Sequence, residues 1–95
     1  MLDLENVDRA TFAPCVGQNF EAVLTDGRRP LTLAEARPLG AARPGTVREP
    51  FALIFHGEPA LRLPQQIYRL EHATLGAMEV FLVPIAAGQF EAVFN

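Results

Sequence analysis

Apolar and polar positions alternate along the chain in short runs separated by Gly, Pro and Asp, a period of two that predicts β-strands. Asn19 to Leu24 is the first such run: Phe20, Ala22 and Leu24 share one face, Glu21 and Val23 the other, and Asp26-Gly27 then supplies residues tolerant of positive φ. Pro30 to Ala36 resumes the alternation with Leu31 and Leu33 inward and Thr32 outward, although Glu35-Ala36 could equally begin a helical turn before Pro38. Phe51 to His56 is apolar on both faces, the pattern of a central strand or of one crossing a small barrel. From Ile67 to Glu71, Tyr68 and Leu70 stand opposite Arg69 and Glu71, and His72 to Gly76 has the length and late Gly of a hairpin loop. Met78 to Ile85 is the return strand, Ala86 to Gly88 the last turn, and Phe90, Ala92 and Phe94 alternate with Glu91 and Val93.

Two stretches break the pattern. Leu2 to Pro14 offers Asp3 and Asp8 as helix caps before Pro14 and Gly17 stop it, which allows one or two helical turns. Arg37 to Pro50 holds three Pro and two Gly without either period and reads as a loop. The resulting expectation is an all-β fold with minor α: a small antiparallel barrel or sandwich of five to six strands, a short N-terminal helical segment, and a single domain over residues 1–95. Gly17-Gln-Asn-Phe-Glu-Ala-Val and Gly88-Gln-Phe-Glu-Ala-Val share Phe-Glu-Ala-Val after a Gly-Gln turn, a repeat of one strand's burial pattern.

Composition narrows the chemistry. All eight basic residues are Arg, and Lys, Ser and Trp are absent. A lysine Schiff base, a Walker-type phosphate loop and a serine nucleophile are thereby excluded. The net charge of -3 is unevenly spread: acids dominate residues 1–26 and 51–95, and the one basic concentration falls in the Pro/Gly-bearing stretch 27–50. That distribution lacks the footprint of phosphate-backbone binding, so no nucleic-acid partner is expected. The longest apolar run, Val80 to Ala87, has eight residues and carries Pro84, far short of a membrane helix of roughly 20 residues. The acidic start lacks the features of a secretory signal and the lone Cys15 has no disulfide partner, which together predict a cytoplasmic protein with no membrane association.

Candidate chemistry is sparse. His56 with Glu58, and Glu71 with His72, could converge if their strands pair, a set that would suit a divalent ion or a small metal-dependent enzyme. Against this, consecutive Glu71 and His72 point to opposite faces of a strand, so each His is expected to cap a strand end and bond to turn backbone. No metal or cofactor is expected. Cys15 with a histidine is the remaining nucleophile pairing, but it lacks a catalytic signature, and a small buried hydrophobe is its ordinary role. The stretch Leu61 to His72 is richer: Gln65, Gln66, Tyr68 and Arg69 follow Pro64 and are residue types suited to a protein interface. The same residues also suit a bent loop in which the glutamines satisfy backbone groups and Tyr68 is core.

The order Pro-Phe-x-Leu-x-Phe-x-Gly at 50 to 57, Leu-Pro-Gln-x-x-Tyr-x-Leu-Glu-His at 63 to 72, Phe-Leu-Val-Pro-Ile at 81 to 85 and the terminal Phe-Glu-Ala-Val-Phe-Asn resembles a family of small uncharacterised bacterial proteins of about 95 residues. Some members accompany phage tail-collar-like proteins, and the resemblance implies an accessory or assembly role without catalytic residues. The expected function is a non-enzymatic interaction or assembly domain; the alternative is an enzyme using His56, His72 and nearby acids. At least one of the Phe20 to Leu24 and Phe90 to Phe94 strands is expected near a sheet edge, and because neither carries an edge-protecting proline, lysine or inward charge, it would pair with a partner protein or in a symmetric dimer. Full barrel closure, with these two strands paired to each other, is the competing expectation.

Overall fold

The computed structural model describes residues 1–41, 44–45 and 48–95. Two short helical turns open the chain: α1 (Arg9–Phe12), followed by a 3-10 turn over Ala13–Cys15. Asp8 caps α1, its carboxylate accepting from the Thr11 N–H at 3.1 Å and from the Thr11 hydroxyl at 3.2 Å. Among the described residues six strands follow: β1 (Asn19–Leu24), β2 (Gly27–Pro38), β3 (Phe51–His56), β4 (Gln66–His72), β5 (Gly76–Ala86) and β6 (Gln89–Phe94). They form a closed antiparallel barrel in the order β1-β2-β3-β6-β5-β4. Among the described residues no helix is long and apolar enough to cross a membrane.

Closure corrects the edge expectation. β1 pairs with both β2 and β4, and β6 with both β3 and β5, so neither phenylalanine-bearing strand is an edge and the two do not pair with each other. Both follow a glycine at positive φ, Gly17 at 89° and Gly88 at 67°, and both turn Phe and Ala inward with Glu outward. The repeated sequence is thus one strand pattern used at two places in the barrel.

The alternation survives along the longer strands because single residues are inserted where its phase changes. In β2, Leu33 pairs with Phe55 and Glu35 with Ile54, leaving Ala34 as an extra residue. That bulge turns Glu35 outward after Leu31 and Leu33 have pointed inward, and it replaces the alternative of a helical turn at Glu35-Ala36. Ile85 plays the same part in β5, between the Pro84–Phe90 and Ala86–Gln89 pairs, and is left 48% exposed.

The core takes one face of every strand. Phe12, Phe20, Phe51, Phe55 and Phe90 are fully buried, at about 1.5–3 kcal/mol for each large side chain removed from water. Phe12 of α1 stops one end of the barrel, 6.1 Å from the Phe51 ring and 5.9 Å from Phe94, which are themselves stacked at 4.7 Å. The Arg48 guanidinium lies 5.7 Å and 5.6 Å from the centres of that stacked pair and donates to the carbonyls of Leu4, Val7 and Asn95. β3 is buried on its outer face too: Ile54, 4% exposed, stands in register between Glu35 and Glu91. Glu35 is forked by Arg37 at 3.0 Å and 2.9 Å.

Candidate interaction surface

The two histidines do not meet. β2 and β1 separate β3 from β4 around the barrel, and His56 is exposed at the end of β3 while His72 is buried at the end of β4. Nδ1 of His72 accepts from the N–H groups of Thr74 (3.2 Å) and Leu75 (3.1 Å), which assigns the proton to Nε2, and Nε2–H donates to Gln18 Oε1 at 2.7 Å. Its ring lies on Phe20, 4.5 Å between centres. His72 therefore braces the β4–β5 hairpin, and both of its nitrogens are occupied. Glu71 faces the other way, accepting from Arg28 at 2.5 Å and Arg69 at 3.0 Å. These bonds, Arg28 first and Arg69 second, hold its carboxyl below the usual carboxylate range. Among the described residues no group of three or more His, Cys, Asp or Glu side chains is placed to hold a metal ion. Burial pushes the Cys15 thiol up, away from the thiolate a nucleophile needs.

The residues singled out between Gln65 and Arg69 divide. Tyr68 is 4% exposed, packs in the core and donates its hydroxyl to the Pro64 carbonyl. Gln65, Gln66 and Arg69 are exposed. Gln66 and Arg69 line a cleft of about 430 Å³ between β4 and the β1–β2 hairpin, with Arg62 and Asp26. On the far side of Leu63 and Pro64, a more apolar groove of about 540 Å³ runs against Pro84, Ala86 and Phe90.

Further exposed apolar side chains stand on the outside of β4, β5 and β6. Ile67 is 63% exposed and Phe81, its register partner across the β4–β5 ladder, 49%. Ile85 at 48% and Val93 at 51% continue the surface along β5 and β6. Its signal in the sequence is a parity: Met78 and Val80 face inward and Glu79 outward, so Phe81 shares the side of Glu79. The unbroken apolar run from Val80 to Ala87 hides that parity, because neither face then looks more polar than the other.

The β5–β6 seam is short. Its ladder runs from Ala86–Gln89 to Val83–Glu91, and two residues beyond that last pair stand Phe81 on one strand and Val93 on the other. The first half of β5, Gly76 to Leu82, pairs with β4 without interruption. On the opposite side of that half, the Ala77 carbonyl accepts from the Leu2 N–H at 2.8 Å, so the N-terminal segment is fastened to the start of β5.

A protein-family model described as a domain of unknown function matches residues 7–94. No curated protein and no solved structure matches the chain.

Proposed function

The chain belongs to the DUF6916 family, a domain of unknown function, and from the geometry of its barrel we propose that it is a non-enzymatic protein-interaction domain whose contact face is the outer side of β4, β5 and β6. The observation that carries this reading is the exposure of Ile67, Phe81, Ile85 and Val93, between 48% and 63%, on neighbouring strands of a barrel whose core is otherwise filled. Apolar side chains exposed on neighbouring strands of a small domain mark a contact site, because their exposure is unfavourable until a partner covers them. Gln66 and Arg69 at its margin supply the polar rim. An accessory role in a phage-tail-like assembly is the finer form of the proposal, and it rests on the resemblance in the sequence.

The test compares native protein with an Ile67→Gln, Phe81→Arg double variant as bait in native lysate, with Glu58→Gln as a surface control. Native and control baits retain the same partner, and the double variant, folded by circular dichroism, loses it. Light scattering over a dilution series covers the case in which the partner is a second copy, whose dimer the double variant abolishes. Equal capture by all three baits, or no capture together with a monomer mass at every concentration, overturns the reading.

A further inference from the structure

We infer that the groove between the β3–β4 connection and the β5–β6 hairpin is a small-molecule site for an aliphatic monocarboxylate of medium chain length, whose chain lies against the hydrocarbon walls and whose carboxylate meets Arg62. Ile67, Phe81 and Val93 do not line this groove, so the site is separate from the outer interaction face and goes beyond that reading.

Both walls are held by bonds made within the chain. On one side the Leu61 N–H donates to the Glu58 carbonyl at 2.9 Å, Leu63 is anchored at 4% exposure, and the Tyr68 hydroxyl holds the Pro64 carbonyl. On the other, Pro84 pairs with Phe90, and the residue inserted after it, Ile85, breaks the regular ladder. A backbone bond from Gly57 to Gly88 ties the two walls together. The groove is therefore formed in advance, which spares a ligand the cost of ordering it. Its volume of about 540 Å³ suits a small molecule, for which sites of ~300–1,000 Å³ are usual.

The lining sets the chemistry. Every side chain in it except Arg62 is a hydrocarbon, and Pro64 and Pro84 also lack a backbone N–H. Polar groups along a ligand would lose their hydration there without replacement, whereas a hydrocarbon chain gains by leaving water. Phe90 is 1% exposed and offers no free ring face for stacking, which favours a saturated chain over an aromatic one. Arg62 supplies the one charge. Its Nη1 donates to the Pro59 and Leu61 carbonyls at 2.9 Å and 3.3 Å, holding the guanidinium against its own turn. Among the described residues its Nε and Nη2 have no acceptor and no carboxylate pairs with it, whereas Arg28, Arg29, Arg37 and Arg69 each have an acidic partner. Nε and Nη2 form the guanidinium edge that takes a carboxylate in two parallel bonds, as Arg37 takes Glu35 in this chain.

The test titrates the nitrogen-15-labelled full chain with sodium octanoate and, separately, with octan-1-ol, following amide shifts. Octanoate gives saturable shifts at Leu61, Leu63, Ala86, Ala87 and Phe90, and octan-1-ol shifts the same amides with about tenfold weaker affinity, as expected when charge-assisted hydrogen bonds are lost. Arg62→Gln, folded by circular dichroism, lowers octanoate to the affinity of octan-1-ol and leaves octan-1-ol unchanged. Ala87→Leu, which fills the groove from an exposed position, weakens both ligands. Equal affinity of the native chain for the two ligands, or octanoate binding unaltered by Arg62→Gln, overturns the inference. So do shifts confined to Ile67, Phe81 and Val93, which put the ligand on the outer face, and the absence of any saturable shift below the micelle threshold of octanoate. None of these outcomes decides the lysate comparison, which reads the outer face alone.

Discussion

The backbone N–H of Gly57 donates to the carbonyl of Gly88 over 2.7 Å, fastening the turn after β3 to the turn between β5 and β6. Gly88 sits at φ 67°, and a Cβ there would run into the Glu58 carbonyl. Gly76 sits at φ 79° with open space around it. Gly88→Ala is therefore expected to destabilise the protein by roughly 2–4 kcal/mol, combining backbone strain with the clash, and Gly76→Ala by about 1 kcal/mol from the conformation alone. Urea unfolding midpoints measure both; equal losses would contradict the close approach at Gly88.

His72 is expected to matter through its turn bonds. His72→Ala leaves the Thr74 and Leu75 amides without their acceptor and opens a space against Phe20, a loss of about 2–4 kcal/mol. His72→Asn returns an acceptor near the position of Nδ1 and should recover part of that loss. Nitrogen-15 spectra of the native imidazole should show the proton on Nε2. A proton on Nδ1 would contradict the assignment.

Arg48 joins the Leu4 and Val7 carbonyls to Asn95 at the other end of the chain and covers the Phe51–Phe94 stack. Arg48→Ala should cost about 2–3 kcal/mol, and amide exchange of the N-terminal segment up to Val7 should quicken more than exchange in β3. Uniform quickening across the barrel would show that Arg48 supports the core rather than the segment.

The stabilisation Glu71 contributes should vary with pH in a set direction. Its folded carboxyl titrates below its unfolded value, so the contribution is complete above the ordinary carboxylate range and is lost as the pH falls through the lower, folded value. The stability gap between native protein and Glu71→Gln is thus largest near neutrality, closes in acid, and narrows in high salt because both arginines are partly solvent-exposed. Thermal unfolding across pH measures it; a gap that widened in acid would reverse the assignment.

Strand positions were legible because turns with Gly at Gly27, Gly76 and Gly88 divide runs whose alternation has a definite phase, as in Phe20-Glu21-Ala22 and Phe90-Glu91-Ala92. The N-terminal turn was legible through Asp8, whose side chain has few other roles ahead of Arg9 to Phe12. Closure was hidden, since it depends on β1 meeting β4 and β6 meeting β3, and those pairings join segments far apart in the chain. The bulges at Ala34 and Ile85 were hidden because one inserted residue leaves composition unchanged and shows only when a partner strand fixes the register. Gln66 and Arg69 reach the surface as their types suggested, while Tyr68 was drawn inward by its parity with Leu70. Phe81 escaped notice because an aromatic in an apolar run reads as core until the side of Glu79 is known.

The order of strands around the barrel also sets how the chain must fold. Four of its seams join consecutive strands, β1–β2, β4–β5 and β5–β6 through short loops whose closure carries little entropic penalty and β2–β3 through the longer connection 39–50. The β3–β6 and β1–β4 seams gain nothing until both ends of long intervening segments have come together. Hairpins should consequently form early and the barrel close late, giving refolding on the millisecond-to-second scale usual for topologies dominated by non-local pairing. During that interval Phe55 and Phe90, partners across the late-forming β3–β6 seam, remain open to water and to one another's counterparts on neighbouring chains. The yield of folded protein at high concentration is then governed by how quickly that seam closes.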